Sequence, residues 1–361
     1  MSRRKSCLEG YAPSRFEKAS SSSSSDIWQF ATKDKEHTVF CKVFSETYQQ
    51  SAGLLYEADI YNYIENSLRK EDPLKKCFIE LVCVRRNLTF DDLKRDVLGD
   101  FGVTEESLLR NLMITQCGNP KSRPALDDLN VPMTQELLPN CSPSDIEMFK
   151  RMTYAMVVTE KPTGIVMDLS TFLKDPDITN VEKRETLAKT VIAISKMHDM
   201  NISHNDQHWG NILIVYEDDD AKDEIYTFDN QKYSLSSPFR PVLFDWDRAQ
   251  LANWPDNRQL ATFDLLYKPA YSTTRDWLTF YLQLIMWHKR IFGREDGGEE
   301  LASCFFRQES LSSVLPFWEA LIEEKQFWEF STQDNLQALD HHIHIDQKAL
   351  IRYLGFSPIR S

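Results

Sequence analysis

A carboxylate and an amide stand five residues apart in the segment His204-Asn205-Asp206-Gln207-His208-Trp209-Gly210-Asn211. The segment follows a helical stretch and leads into the apolar run Ile212-Leu213-Ile214-Val215. Transfer of a phosphoryl group to an alcohol needs these two groups: a carboxylate at the attacking hydroxyl and an amide oxygen on a divalent cation. A spacing of five puts Asp206 and Asn211 on one short loop. Farther along, Val242-Leu243-Phe244 ends in Asp245. A carboxylate at the end of a buried strand suits a magnesium ligand; a turn-forming Asp is the simpler alternative. Asp247 offers a second carboxylate, most simply read as a solvated turn residue. Near the start of the chain, Lys42 is a lone cation in the apolar run Thr38-Val39-Phe40-Cys41-Lys42-Val43-Phe44. It reads either as an edge-strand lysine that reaches water or as an ammonium held by Glu57, on the helix that follows. Glu57 itself could equally be a solvated helix residue.

Periodicity and punctuation outline the elements that must carry these groups. Residues 28–44 predict two short strands around the charged turn Lys33-Asp34-Lys35-Glu36. Residues 54–68 have helical spacing, and 78–84 and 154–159 read as strands. Helices are predicted over 168–174 and, with Leu187, Val191, Ile194 and Met197 on one face, over 182–200. After the loop come a strand at 212–216, the acidic turn Glu217-Asp218-Asp219-Asp220, a hairpin around Asp229-Asn230, and the strand that ends at Asp245. Residues 276–292 are apolar nearly all round, which predicts one central buried helix. In the amphipathic remainder, Trp318, Leu321, Trp328 and Phe330 are core candidates. Residues 1–26, ending in Ser20 to Ser25, read as a flexible polar segment. Residues 85–150 read as an insertion and 217–241 as a hairpin insertion. Strands with one helix come first and helices dominate afterwards. The expected class is therefore α+β with two lobes, 27–160 and 161–361, and a cleft between them.

Composition sets the bounds. A chain of 361 residues can bury one large core or two lobes. Hydrophobic content of 42% and charged content of 27% are those of a soluble globular protein. The net charge of −13 argues against a nucleic-acid surface. No apolar run approaches the length of a membrane span. The basic start Arg3-Arg4-Lys5 lacks the apolar core of a secretory signal. Seven cysteines, with no C-x-x-C pair, point to a reducing intracellular compartment and away from a zinc site.

Lys42, Glu57, His204-x-Asp206-x-x-x-x-Asn211 and Asp245 occur in the order and context of the eukaryotic-type protein kinase superfamily, which the chain resembles from about residue 27 to 293. His208-Trp209-Gly210-Asn211 is similar to the loop of haspin-type kinases. The hairpin Ile225-Tyr226-Thr227-Phe228-Asp229-Asn230-Gln231-Lys232-Tyr233, followed by Pro241-Val242-Leu243-Phe244-Asp245, resembles serine/threonine protein kinases of large nucleocytoplasmic DNA viruses. The resemblance implies a bilobal protein-kinase-like fold, with a small mainly β N-lobe bearing one key helix and a larger mainly α C-lobe. It implies ATP- and magnesium- (or manganese-) dependent transfer to a serine or threonine of a protein substrate, by a viral, virion-associated enzyme of the host cytoplasm or virion. Asp206 would be the base or orienting carboxylate, and Asn211 and Asp245 would hold the metal. Lys42, paired with Glu57, would hold the α- and β-phosphates, and the Glu160 carbonyl would accept from adenine. Asp276 would anchor the loop or, read more simply, serve as a first-turn helix carboxylate. His204 would be packed, and His208 structural before catalytic. Two alternatives stay open: a small-molecule kinase of the aminoglycoside- or choline-kinase kind, which shares a similar loop, and a weak pseudokinase serving as a scaffold.

The chain departs from that superfamily in five places. No G-x-G-x-x-G precedes Lys42; the serine run stands there, and serine reaches positive φ less freely than glycine. Asn205 replaces the arginine that usually precedes the catalytic carboxylate and binds a phosphorylated loop. Trp246 and Asp247 replace the usual Phe-Gly. No Ala-Pro-Glu lies between Asp245 and Asp276. After Thr159, Glu160-Lys161 is followed by Pro162, which has no N–H to offer a nucleobase.

Overall fold

A computed structural model describes residues 11–15, 26–32, 38–45, 51–69, 72–98, 147–148, 150–217, 224–255, 271–293, 298–312 and 342–359. The chain divides into two compact units, residues 1–58 with 80–161 and residues 59–79 with 162–361.

The first unit is built on a five-stranded antiparallel sheet. Its strands are β1 (Tyr11–Arg15), β2 (Asp26–Thr32), β3 (Thr38–Ser45), β4 (Leu81–Leu88) and β5 (Tyr154–Glu160), in the order β1-β2-β3-β5-β4. β3 shows why the strand forms. Its alternate residues Val39, Cys41 and Val43 are buried on one face, and Lys42 projects from the other. β5 is central, and its residues from Tyr154 to Thr159 are buried, as a strand covered on both faces requires. Helix α1 (Ser51–Ser67) carries Glu57 and Ala58, both fully buried. The segment read as an insertion begins with a helix, α2 (Phe90–Leu98), entered through a reciprocal cap. The Asp92 N–H donates to the Thr89 hydroxyl at 3.1 Å, and the Thr89 N–H donates to the Asp92 carboxylate at 3.2 Å. Residues 99–146, and with them most of that segment, lie outside the described residues.

The segment 1–26, read as flexible, contains β1, which pairs with β2 from Tyr11↔Thr32 onward. Strand pairing is made by backbone groups and leaves no side-chain period in so short a piece, and Pro13 is tolerated because β1 is the edge strand. The strand read at 78–84 begins later, at Leu81, because a 3-10 turn over Pro73–Cys77 precedes it.

The second unit is helix-rich. After β6 (Ile165–Asp168), Asp168 caps α3 (Leu169–Lys174) by accepting from the Thr171 N–H at 2.7 Å. α4 (Asn180–Asp199) opens with a capping box between Thr179 and Glu182, and its Leu187, Val191, Ile194 and Met197 are completely buried. Then follow β7 (Ile202–Ser203), β8 (Ile212–Tyr216), the hairpin β9 (Glu224–Phe228) with β10 (Gln231–Leu235), β11 (Phe239–Leu243) and β12 (Gln250–Leu251). β8 pairs with β6 and β11, and β12 pairs with β7. The hairpin turns on Asp229 and Asn230, with φ of 45° and 59°, the mirror-image turn that suits the twist of two strands. Lys189 of α4 is buried because its ammonium donates to the Ser237 carbonyl at 2.7 Å and lies 5.6 Å from the Tyr226 ring. The helix expected over 276–292 is two helices, α5 (Thr273–Met286) and α6 (His288–Phe292). Trp287, at φ −106° and ψ 9°, breaks them without interrupting the apolar pattern, so periodicity could not locate the break. α7 (Gly298–Ser303) and α8 (Gln347–Tyr353) complete the described helices of this unit. Trp318, Leu321, Trp328 and Phe330 lie outside the described residues.

Of the described cysteines, Cys41, Cys77 and Cys304 are buried free thiols and Cys83 is disulfide-bonded. Among the described residues no helix is long and apolar enough to cross a membrane.

Candidate active site

In the first unit, β3 and α1 bring Lys42 to Glu57. The ammonium donates to the two carboxylate oxygens at 2.8 and 3.1 Å. Lys42 is 8% exposed and Glu57 fully buried. A pair this dry is retained for position more than for stability, because desolvation offsets much of the attraction. At the end of β5, the Glu160 N–H donates to the Glu80 carbonyl at 2.9 Å and the Lys161 N–H to the Thr38 carbonyl at 2.8 Å. Both amides around the expected adenine-binding carbonyl are thus engaged within this unit, and Pro162 has none to add.

In the second unit, the loop between β7 and β8 is fixed by α5 and by the end of β11. From the first turn of α5, the buried Asp276 carboxylate accepts from the His204 N–H at 2.9 Å and the Asn205 N–H at 2.8 Å. His198, in the last turn of α4, contacts the same carboxylate through Nε2 at 3.0 Å. A carboxylate near a helix N-terminus is also favoured by the helix dipole. From the strand β11, the Phe244 carbonyl accepts from Nε2 of His204 at 2.9 Å, and that imidazole packs 4.8 Å from the Trp246 ring. From α5 again, the Gln283 side chain donates to the Gln207 carbonyl at 3.0 Å.

Within the loop, the Asn211 amide nitrogen donates to the Asp206 carbonyl at 2.8 Å. Its side-chain oxygen is left as the atom that would reach a metal. His208 caps the 3-10 turn at Trp209–Asn211 by accepting from the Gly210 N–H on Nδ1 at 2.9 Å. That bond places the remaining proton on Nε2. Burial holds the imidazole below its ordinary pKa, so it is neutral at pH 7. A Cβ at Gly210 would lie 2.7 Å from this ring, which is why glycine stands there. Nε2 of His208 lies 4.0 Å from the Asp206 carboxylate.

Asp206 is pushed up to about 6, first by burial, with the Arg248 guanidinium opposing and Asp245 adding to the rise. Arg248 is the residue that sequence reasoning missed. Its Nη1 lies 3.0 Å from Oδ1 of Asp206. The only signal in the sequence is a cation three residues after Asp245, whereas the arginine of the resembled kinases comes before the catalytic carboxylate. Asn205, which occupies that position, donates from its side chain to the Arg248 carbonyl at 3.1 Å. Asp245 itself sits in the left-handed region, φ 67° and ψ 66°, and opens the 3-10 turn Trp246–Arg248.

The donor set fits a hard divalent cation. Asp245 and the Asn211 side-chain oxygen are oxygen ligands, and the mutual repulsion of Asp206 and Asp245 is what a cation would relieve. Among the described residues no group of three or more His, Cys, Asp or Glu could hold a metal alone. Magnesium does not need one, since it commonly takes one or two carboxylates and completes its shell with water and phosphate.

A sheet-rich unit with a lysine–glutamate pair, and a helix-rich unit with this anchored loop and the carboxylate of Asp245 after β11, are consistent with a phosphotransferase of protein-kinase-like fold. A family model described as the lipopolysaccharide kinase (Kdo/WaaP) family matches residues 125–282, a span that includes Asp206, Asn211, Asp245 and Asp276. Among solved structures, the chain is similar to WaaP in complex with acyl carrier protein, at 11% identity over 87% of this chain and 89% of that one, with a TM-score of 0.40. No curated protein matches significantly.

Proposed function

We propose that the protein transfers the γ-phosphoryl group of ATP to a hydroxyl of a sugar-like small molecule. The observation that carries the chemistry is the anchored loop, with Asp206 oriented by Arg248 and Asn211 tied back to the Asp206 carbonyl. The acceptor class rests on the lipopolysaccharide kinase match, which spans the whole loop. The acceptor hydroxyl bonds to phosphorus as the bond from phosphorus to the ADP oxygen breaks. Asp206 orients that hydroxyl and takes its proton. Asn211 and Asp245 would hold a divalent ion, magnesium or manganese, which when bound would offset charge on the phosphates. Lys42, held by Glu57, binds the α- and β-phosphates. The Glu160 carbonyl accepts from adenine, with little help from neighbouring amides.

A serine or threonine acceptor on a protein, and a viral source, rest only on the similarity of His208-Trp209-Gly210-Asn211 and of the hairpin to such kinases. The comparisons lend them no support. The deciding assay offers labelled ATP with magnesium to lipopolysaccharide core sugars containing Kdo, to generic protein substrates and to the protein alone, beside an Asp206→Asn control. Label on the sugar is the expected result. Label on protein with none on sugar would replace the acceptor assignment, and label nowhere would leave a scaffold.

Activity is expected without prior phosphorylation. Asn205 provides no arginine for a phosphate, and Arg248 is already on Asp206. Ser272 is occupied as the cap of α5, accepting from the Arg275 N–H at 3.3 Å. Phosphatase treatment of the purified protein, assayed at once, should leave the rate within about twofold. A loss of about tenfold, or 1.4 kcal/mol of barrier, restored by a phosphate mimic at Ser272, Thr273 or Thr274, would show that a switch exists.

A further inference from the structure

We propose that Arg248 is the positioning residue of the transfer step, fixing one oxygen of Asp206 so that the other faces the acceptor hydroxyl. The inference rests on the phosphotransferase reading and deepens it. Its basis is how firmly Arg248 is held. The turn that carries it closes with the Ala249 N–H donating to the Trp246 carbonyl at 3.0 Å. The next two residues, Gln250 and Leu251, pair as β12 with Ser203 and Ile202 at the start of the catalytic loop. The Arg248 carbonyl accepts from Asn205, and the Trp246 ring lies against His204. Backbone pairing, a side-chain bond and a ring contact therefore set the distance from this turn to the loop before any ligand arrives.

The guanidinium reaches Oδ1 of Asp206 at 3.0 Å, while Oδ2 faces Nε2 of His208 at 4.0 Å. Oδ1 is therefore occupied, and Oδ2 is the oxygen left to the acceptor. Both partners are about one-fifth exposed (22% and 17%), where an ion pair adds little stability. What the contact contributes is direction. It also ties the two ends of the reaction together: the metal carboxylate Asp245 and the cation on the acceptor carboxylate are three residues apart in a single turn.

The test compares R248M and R248K with wild type in steady-state kinetics and in arginine side-chain NMR. R248M is expected to lower kcat about 100-fold, the scale of a misplacement of about 1 Å, with KM for ATP unchanged. R248K should recover part of the loss, since it returns the charge without the fork. A merely structural role would give equal losses in both variants. R248M with wild-type kcat, or a loss confined to KM, overturns the proposal. The NMR arm does not depend on an acceptor. The Nη signals of Arg248, assigned by their loss in R248K, should be resolved in wild type, because the carboxylate slows guanidinium rotation, and should merge in D206N. Signals unchanged in D206N overturn the pairing. Resolved signals in a wild-type protein that phosphorylates nothing would instead overturn the phosphotransferase reading.

Discussion

Asp206→Asn and Asp245→Ala are each expected to lower phosphoryl transfer by about a thousandfold or more, the scale seen when an essential charged contact is removed. Their effects on binding should differ. Asn at 206 keeps the shape of the side chain but loses the charge that holds Arg248 and cannot take a proton from the acceptor. Nucleotide affinity should stay as it is. Ala at 245 removes a metal oxygen, so the part of ATP affinity that depends on magnesium should fall. Titration calorimetry of ATP with and without magnesium, beside the transfer assay, separates the two. Wild-type turnover in the Asp245→Ala protein would remove that residue from the site. Equal weakening of magnesium-dependent binding in both variants would remove the division of labour.

Lys42→Met should strongly destabilise the first unit. It removes the ammonium that donates to Glu57, a carboxylate fully buried on α1. Removing one partner of a buried pair typically costs about 3–5 kcal/mol. Replacing both, as in Lys42→Met with Glu57→Met, should recover most of that loss, because two well-packed apolar side chains avoid the desolvation cost. Neither protein should transfer phosphate, which separates folding from activity. Because the chain forms two units, the quantity to follow is the unfolding transition that carries the first unit, monitored by hydrogen exchange on β3 and β5. A double variant as unstable as Lys42→Met alone would mean that the pair is not the source of the cost.

The geometry of the loop and of the Lys42–Glu57 pair was legible because local spacing and a break in a local pattern set it. Asp206 and Asn211 share one loop, and the structure joins the Asn211 amide to the Asp206 carbonyl. Lys42 was visible as a cation where the strand pattern called for none, and Glu57 as the carboxylate on the next helix. The illegible parts are those fixed by distant pairing. β1 is held by backbone bonds to β2 and has no side-chain period to betray it. Trp287 interrupts a helix without changing its apolar pattern. Arg248 meets Asp206 where β12 folds back onto β7 and Asn205 bonds the Arg248 carbonyl, contacts that no sequence window contains. His198 likewise reaches Asp276 across 78 residues of chain.

Asp245 and Asn205 have φ of 67° and 61°, a region where any side chain is strained and glycine is not. The strain costs about 1 kcal/mol or somewhat more at each, least for short polar residues such as these. At position 245 the backbone would therefore prefer glycine while the metal requires a carboxylate. A lineage selected for stability alone would be drawn toward glycine there and would lose catalysis as its fold improved. If the proposed role of Asp245 holds, homologues that keep transfer should keep a carboxylate at 245, and homologues freed of it should drift toward glycine.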